Sequence, residues 1–543
     1  MDNLFQTHKD ALDGMLAAFD DIPNEELSFE QDCHERVKIA LFFDGTGNNR
    51  DADAPTESWS NVARLYEAAR DEPEKGLYRY YISGVGTKLN REEPWWHLNK
   101  HPRDSAALGG GTGWGADSRL KSGDIDTNDA LTRALKVSAE LASDEVQAIL
   151  EANEKEGFAK LNEALSKHRL IRSIDISVFG FSRGAALARA FVNRLLKACE
   201  KEGGELTYEG YPIRFRFLGI FDTVASFGRP AKNDFKKIEM LLPQELEKCV
   251  HYVAAHELRY SFPVDLIRQE GAYPREDWIE TVFPGVHSDV GGGYRPGAQG
   301  KSDELARIPL LNMYVKSLAS GARFRDWSEI SEDKPLRDKF GLSRGVQSTY
   351  KAYMEAVGQQ AKTGTIEEQI KAHMEHWYAY MGALESGEAE LELDRQEQAH
   401  ETRIEQLNNA ITDLKRKRKR QNPYKDEINE LTEQRTQARE DLRALRASRK
   451  QIDKGRSTIS KEARRLKRKQ DANKPLTLGF VAGRYFFRST AEPWMLNAYL
   501  QGSVEPDVAR FLDTLVHDSK AGFLGGKEPY AYFRRRGLWE SER

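Results

Sequence analysis

The 543-residue sequence predicts an α/β fold with a mostly parallel sheet and helices on both faces. Three observations carry that prediction. Short apolar runs such as Val37 to Phe43 (VKIALFF) lack polar alternation, the pattern of strands buried on both faces. Segments with apolar residues at helical spacing lie between these runs, so strand and helix alternate along the chain. Several runs stop at turns rich in Gly, Asp or Ser, which places polar groups at the C-terminal edge of the sheet, where α/β proteins build their sites.

Taken in order, residues 1–36 read as an amphipathic helix, with Leu4, Phe5, Leu12, Met15, Leu16 and Phe19 on one face. Its acidic residues and interrupted apolar pattern argue against a secretory signal. The strand Val37 to Phe43 ends in Asp44-Gly45-Thr46-Gly47-Asn48-Asn49, without the Lys-Ser/Thr that a phosphate loop requires. Ser60 to Ala69 reads as a helix, and Leu77 to Ile82 as a strand leading into Gly84-Val85-Gly86-Thr87. Glu93 to Gly115 is loop-like, with Trp95, Trp96, His97 and Trp114, and its aromatic residues cap a core edge, grip an apolar substrate or dip into a membrane. Ala130 to Lys167 reads as helical. The strand from Ile174 then runs into Gly180-Phe181-Ser182-Arg183-Gly184 and an Ala-rich helix. Ile213 to Phe221 is a strand that stops at Asp222, and Trp278 to Phe283 is one that leads into Pro284-Gly285-Val286-His287-Ser288-Asp289. Ile308 to Leu318 and Val346 to Met381 read as helices.

From Glu388 to Lys474 the composition turns polar and charged, yet Leu393, His400, Ile404, Leu407, Ile411 and Leu414 keep heptad spacing. A second seam runs through Ile428, Leu431, Arg435, Ala438, Leu442, Leu445, Arg449 and Ile452, and Pro423 separates the two. This predicts an antiparallel, coiled-coil-like helical hairpin with arms of roughly 28 residues, about 42 Å each at 1.5 Å per residue. A parallel dimeric coiled coil is the competing architecture. The basic run Lys415 to Arg420 falls at the bend and reads as a solvated tip. Aromatic and apolar residues return after Leu476, so the tail is expected to pack back on the core. The expected divisions are therefore 1–36 as the N-terminal helix, 37–323 as the α/β core and 324–387 as a helical region. Residues 388–474 form the hairpin insertion and 475–543 the returning segment.

Hydrophobic residues make up 39% and charged ones 31%, with a formal net charge of −4, which excludes a strong global attraction to nucleic acid. Cys33, Cys199 and Cys249 are too scattered for a disulfide framework. No spacing of His, Cys or Asp makes a metal site, and no cofactor motif occurs. No run of about 18 apolar residues exists, so membrane contact is expected to be peripheral.

The chemistry centres on Ser182. Gly-x-Ser-x-Gly between a strand and a helix is the context of a nucleophile elbow, in which small residues let strand and helix approach around a strained serine. A serine hydroxyl needs a histidine to take its proton and a carboxylate to orient that histidine. Ser182, Asp222 and His287 each follow a strand, in the chain order of α/β-hydrolases. Among 12 histidines, His517 is the rival to His287, and Asp289 is the rival to Asp222. The oxyanion would be met by the N–H of Arg183 and by that of Gly45 or Thr46, with Asp44 holding the loop rigid.

The segments FFDGTGNN, GVGT, GFSRGAALAR, FDTVASFG, FPGVHSDVGGGY and VHDS together resemble the α/β-hydrolase domain of bacterial type VI secretion lipase effectors of the first family. The resemblance covers Val37 to Arg323 and the tail after Leu476. It implies phospholipase A activity on glycerophospholipids, with a triad on Ser182, Asp222 and His287. It also implies synthesis in the cytoplasm, delivery by the secretion spike to a rival cell's periplasm, and an immunity protein that protects the producer. The charged hairpin belongs to no pattern of that family. The alternatives are an esterase or thioesterase acting on soluble substrates, and a non-enzymatic adaptor that uses the hairpin.

Overall fold

The structure, a computed structural model, describes residues 35–88, 115–153, 155–168, 170–226, 238–389, 392–417, 424–482, 485–521, 523 and 531–540. The expected N-terminal helix, the Trp95–Trp114 loop, Cys33, Pro423 and the basic positions 418–420 lie outside the described residues.

The chain is of the α/β class. Six parallel strands form the centre of the sheet in the order β2-β1-β3-β6-β7-β9. They are β1 (Glu35–Phe43), β2 (Leu77–Ile82), β3 (Ile171–Phe181), β6 (Tyr211–Phe221), β7 (Cys249–Ala254) and β9 (Ile279–Phe283). The short strands β4 (Glu200–Glu202) and β5 (Glu205–Tyr208) extend β6 in antiparallel fashion. Successive side chains on a strand point to opposite faces, and here both faces are apolar. Leu41 and Phe43 enter one core cluster, and Phe42 enters the other. On the second face Phe42 stacks on Phe179 at 4.8 Å, and Phe179 packs on Phe217 at 5.6 Å, which ties β1, β3 and β6 together.

One face is covered by α2 (Ala116–Glu140) and the elbow helix α3 (Arg183–Lys197), the other by α1 (Asn61–Ala68) and α5 (Arg307–Leu318). The helix expected from Ala130 begins at Ala116, because its first half carries only scattered apolar residues that sequence periodicity does not weigh. The stretch Val346 to Met381 forms two helices, α6 (Arg344–Ala356) and α7 (Ile366–Ser386). Gly358 and Gly364 between them take positive φ (76° and 97°), which stops the first helix and lets the second start on a Thr365 cap. Strand β7 forms in a stretch around His251 that the sequence leaves open between helix and strand.

The charged region forms an antiparallel helix pair, α8 (Glu392–Lys417) and α9 (Lys425–Asp471). Arg449 meets Glu397 at 2.9 Å and Arg435 meets Asn408 at 3.1 Å, so one helix ascends as the other descends. The arms are unequal. The first has 26 residues and the second 47, the latter about 70 Å long at 1.5 Å per residue. The second arm is longer because Ile459, Ala463 and Leu466 are buried in a third core with α7 and α10 (Pro493–Gln501). Only the outer part of the hairpin therefore projects from the body. The chain then returns through the β10–β11 hairpin (Thr477–Ala482, Tyr485–Thr490) and α11 (Pro506–Thr514). Finally, β12 (Leu538–Glu540) pairs in parallel with β8 (Val264–Leu266). Among the described residues no helix is long and apolar enough to cross a membrane.

Candidate active site

Ser182 stands at the turn between β3 and α3 with φ 58° and ψ −125°. A non-glycine residue in that region carries strain of about 1–3 kcal/mol, held here by its neighbours. Its N–H donates to Phe221 O at 3.0 Å, and its carbonyl accepts from the N–H of Val224 at 3.2 Å and of Ala185 at 3.1 Å. The flanking glycines are sterically required. A Cβ on Gly180 would lie 2.6 Å from Ala185 Cα, and one on Gly184 would lie 2.3 Å from the carbonyl oxygens of Phe43 and Asp44.

Strands β3 and β6 are neighbours with Phe181 opposite Phe221, so Asp222 emerges beside Ser182. Asp222, also at positive φ (40°), is fully buried. Its Oδ2 lies 2.5 Å from His287 Nδ1, and its Oδ1 accepts the Ala254 N–H at 2.8 Å. His287 opens the short helix α4 (His287–Gly291) that follows β9. Its ring is held between Phe181 (4.6 Å between centroids) and Phe262 (5.0 Å). Burial lowers the His287 pKa and the hydrogen bond to Asp222 only partly opposes this, so the imidazole is neutral at neutral pH. With the Nδ1 proton directed at Asp222, Nε2 keeps a lone pair for proton abstraction. The Ser182 hydroxyl makes no hydrogen bond among the described residues. In substrate-free sites of this kind the bond from nucleophile to base is commonly long and tightens on binding.

Asp289 and His517, the rivals for acid and base, pair with each other instead. His517 Nδ1 lies 2.6 Å from Asp289 Oδ1, and the His517 ring stacks on Tyr294 at 3.8 Å. Asp289 Oδ2 also accepts the Val286 N–H at 3.0 Å, so this pair braces the loop that carries His287. His251 and His256 brace other loops: His251 Nε2 accepts the Thr223 N–H at 3.1 Å, and His256 Nδ1 accepts that of Gly285 at 2.8 Å.

For the oxyanion, the N–H of Arg183 is the first in its helix and has no partner among the described residues, as helix geometry dictates. The Gly45 N–H donates to Asp44 Oδ1 at 2.6 Å, so of the two loop amides only that of Thr46 is left without a partner there. Arg183 Nε donates to Thr46 Oγ1 at 2.5 Å, which pins this loop to the elbow. Burial pushes the Asp44 carboxyl up to about 6, against hydrogen bonds from Ser60, Tyr81 and the Gly45 N–H. Asp44 thus acts as the rivet of the loop.

Two residues at the site escaped the sequence reading. Glu257 accepts the His287 N–H at 3.3 Å and is itself bound by Arg259. Arg536 forms a fork on Asp222, with Nη1 to Oδ1 at 2.7 Å and Nη2 to Oδ2 at 2.6 Å. The one sequence signal for it is the basic triplet Arg534-Arg535-Arg536 amid aromatic residues.

Among known families, the model described as the catalytic domain of the Tle1-like phospholipase effectors of type VI secretion matches residues 37–200 and 197–316. No curated protein matches the chain. Among solved structures, the chain resembles an uncharacterized protein from Pseudomonas aeruginosa, with TM-score 0.65 and 24% identity over 94% of this chain and 80% of that one. It also aligns with the Tle1 effector bound to the VgrG spike of the type 6 secretion system, with TM-score 0.38 and 18% identity over 63% of this chain and 84% of that one. The first likeness bears on the fold alone, and the second is too distant to carry an argument.

Proposed function

Because the chain belongs to the family of Tle1-like phospholipase effectors of type VI secretion, we propose that it is a serine phospholipase A that cleaves acyl esters of membrane glycerophospholipids. The observation that carries this reading is the 2.5 Å pair of Asp222 and His287 beside the strained Ser182 elbow, three residues delivered by the C-terminal ends of β6, β9 and β3.

In this mechanism Ser182 Oγ attacks the acyl carbonyl while His287 Nε2 takes its proton. Asp222 holds Nδ1–H and stabilises the imidazolium. The tetrahedral oxyanion accepts hydrogen bonds from the N–H groups of Arg183 and Thr46. Collapse expels the lysophospholipid alkoxide, which takes the proton from His287. Water, deprotonated by His287, then cleaves the acyl-enzyme to free fatty acid and Ser182. The protein would be made in the cytoplasm and carried by the secretion spike to a rival cell's periplasm. There it would act on the membrane surface, and an immunity protein would protect the producer.

Ser182→Ala is expected to reduce fatty-acid release from phospholipid vesicles at least about 10³-fold with an unchanged circular dichroism spectrum. Directed to the periplasm of a Gram-negative host, the native chain should lyse cells and the variant should not. Undiminished release by the variant would overturn the assignment. Turnover confined to short soluble esters would point to an esterase.

A further inference from the structure

Asp222 presents an electrostatic problem. It is fully buried, and its nearest catalytic neighbour is a neutral imidazole. One N–H from His287 and one from Ala254 are a meagre replacement for the hydration of a carboxylate. The protein contains a comparison within itself. Asp265 is only partly buried and accepts the Ala225 N–H at 2.8 Å, but no cation touches its carboxylate among the described residues, and desolvation alone pushes it up to about 6. Asp222 would share that fate. It is instead gripped by Arg536, and against its own burial the Arg536 charge and the His287 hydrogen bond hold it far below the usual carboxylate range.

The grip is geometrically complete. Each terminal nitrogen of Arg536 donates to one Asp222 oxygen, Nη1 also donates to Ala254 O at 3.0 Å, and Nε donates to Phe262 O at 2.9 Å. A bidentate fork fixes the plane of a carboxylate as well as its charge. Phe262 is the residue whose ring packs on His287, so the same guanidinium anchors the acid and one wall of the base. Asp222 and Arg536 are 314 positions apart, and the hairpin lies between them in the chain.

We propose that Arg536 is the positioning residue of the catalytic acid, holding Asp222 ionised and aimed at His287 Nδ1, so that the segment following the helical hairpin completes the active site. The proposal rests on the hydrolase reading above. The charged groups facing the Asp222–His287 pair are Arg536, Glu257 and Arg259, with Asp265 beyond Arg536. Of these, only Arg536 touches the Asp222 carboxylate among the described residues.

The test uses the full chain and vesicle hydrolysis. Arg536→Gln should lower kcat about 10²-fold with KM within about twofold, and should move the acid limb of kcat/KM to higher pH. Arg536→Lys, which keeps the charge but not the fork, should fall between that variant and the native enzyme, and it carries the comparison if the glutamine variant does not fold. Arg536 lines a surface groove together with Ala255, Glu257 and Leu258, and Arg536→Gly would leave a guanidinium-sized space beside Asp222. Guanidinium at millimolar concentration should therefore restore part of the kcat of Arg536→Gly. In an Asp222→Asn background, Arg536→Gln should cost little more, because the group it acts through is gone. Full additivity of those two losses, no guanidinium rescue, or native kcat and pH profile in Arg536→Gln would overturn the proposal. Failure of the hydrolase reading would look different: Ser182→Ala would then retain activity and a serine-directed phosphonate would leave Ser182 unlabelled.

Discussion

A Cβ placed on Gly184 would stand 2.3 Å from two backbone oxygens, those of Phe43 and Asp44, and neither can swing aside as a side chain tip would. Gly184→Ala is therefore expected to destabilise the protein by about 3 kcal/mol or more and to lower activity by moving the elbow, both measurable by denaturant unfolding and vesicle assay. A second expectation concerns pH. On the proposed mechanism His287 must be neutral to act as a base, and burial holds its pKa below the ordinary value of about 6.5 despite Asp222 and Glu257, with Arg259 adding to the depression. Activity should thus persist on acidification and fall only below the normal histidine range; an acid limb centred above about 6.5 would contradict this. Residues such as Ser182 and Gly184 were legible in the sequence because their constraint is local, a strand, a tight turn and a helix within a dozen positions. Arg536 was not, since a guanidinium announces nothing about a carboxylate 314 positions away.

At the scale of elements, the helical pair has two parts with different physics. Leu407 and Ile411 are buried in the seam between the arms, whereas Leu393, Leu445, Ile459, Ala463 and Leu466 belong to the body's cores. Heptad spacing revealed the seam but not where it ends, because a helix that leaves its partner to join a core keeps an apolar face of similar period. Arg403 and Gln434 meet across the pair at 3.1 Å, so the chain can be shortened by joining these positions through a short Gly/Ser linker. Hydrolysis of vesicles in vitro should survive that change with a melting temperature within a few degrees of the native one. Loss of hydrolysis would assign the outer arm a part in catalysis. Removing the whole span from Glu388 to Lys474 should instead unfold the protein, because it withdraws Ile459 and Leu466 from the third core. The hydrogen bond from Gln396 to Gly300 O at 2.9 Å marks where the projecting arm meets the body.

For the molecule as a whole, the α/β class and the strand-end positions of the site were legible because buried parallel strands carry unbroken apolar runs. Strand β7 stayed undecided between helix and strand because of its polar content: His251 lies inside it, satisfied by Glu280 and the Thr223 N–H, so its apolar run is broken. The returning segment was foreseen as packing, and as machinery only through His517, the rival base. It places His517 against Asp289, Ser519 Oγ against Glu257 at 2.9 Å and Arg536 against Asp222. That arrangement sets an order in time as well as in space. A ribosome delivers Ser182, Asp222 and His287 long before Arg536, so a growing chain carries a nucleophile, a base and an acid with no counter-ion for the acid. On the role assigned to Arg536, hydrolytic competence waits until the segment that follows the helical hairpin has been made and has folded back on the sheet.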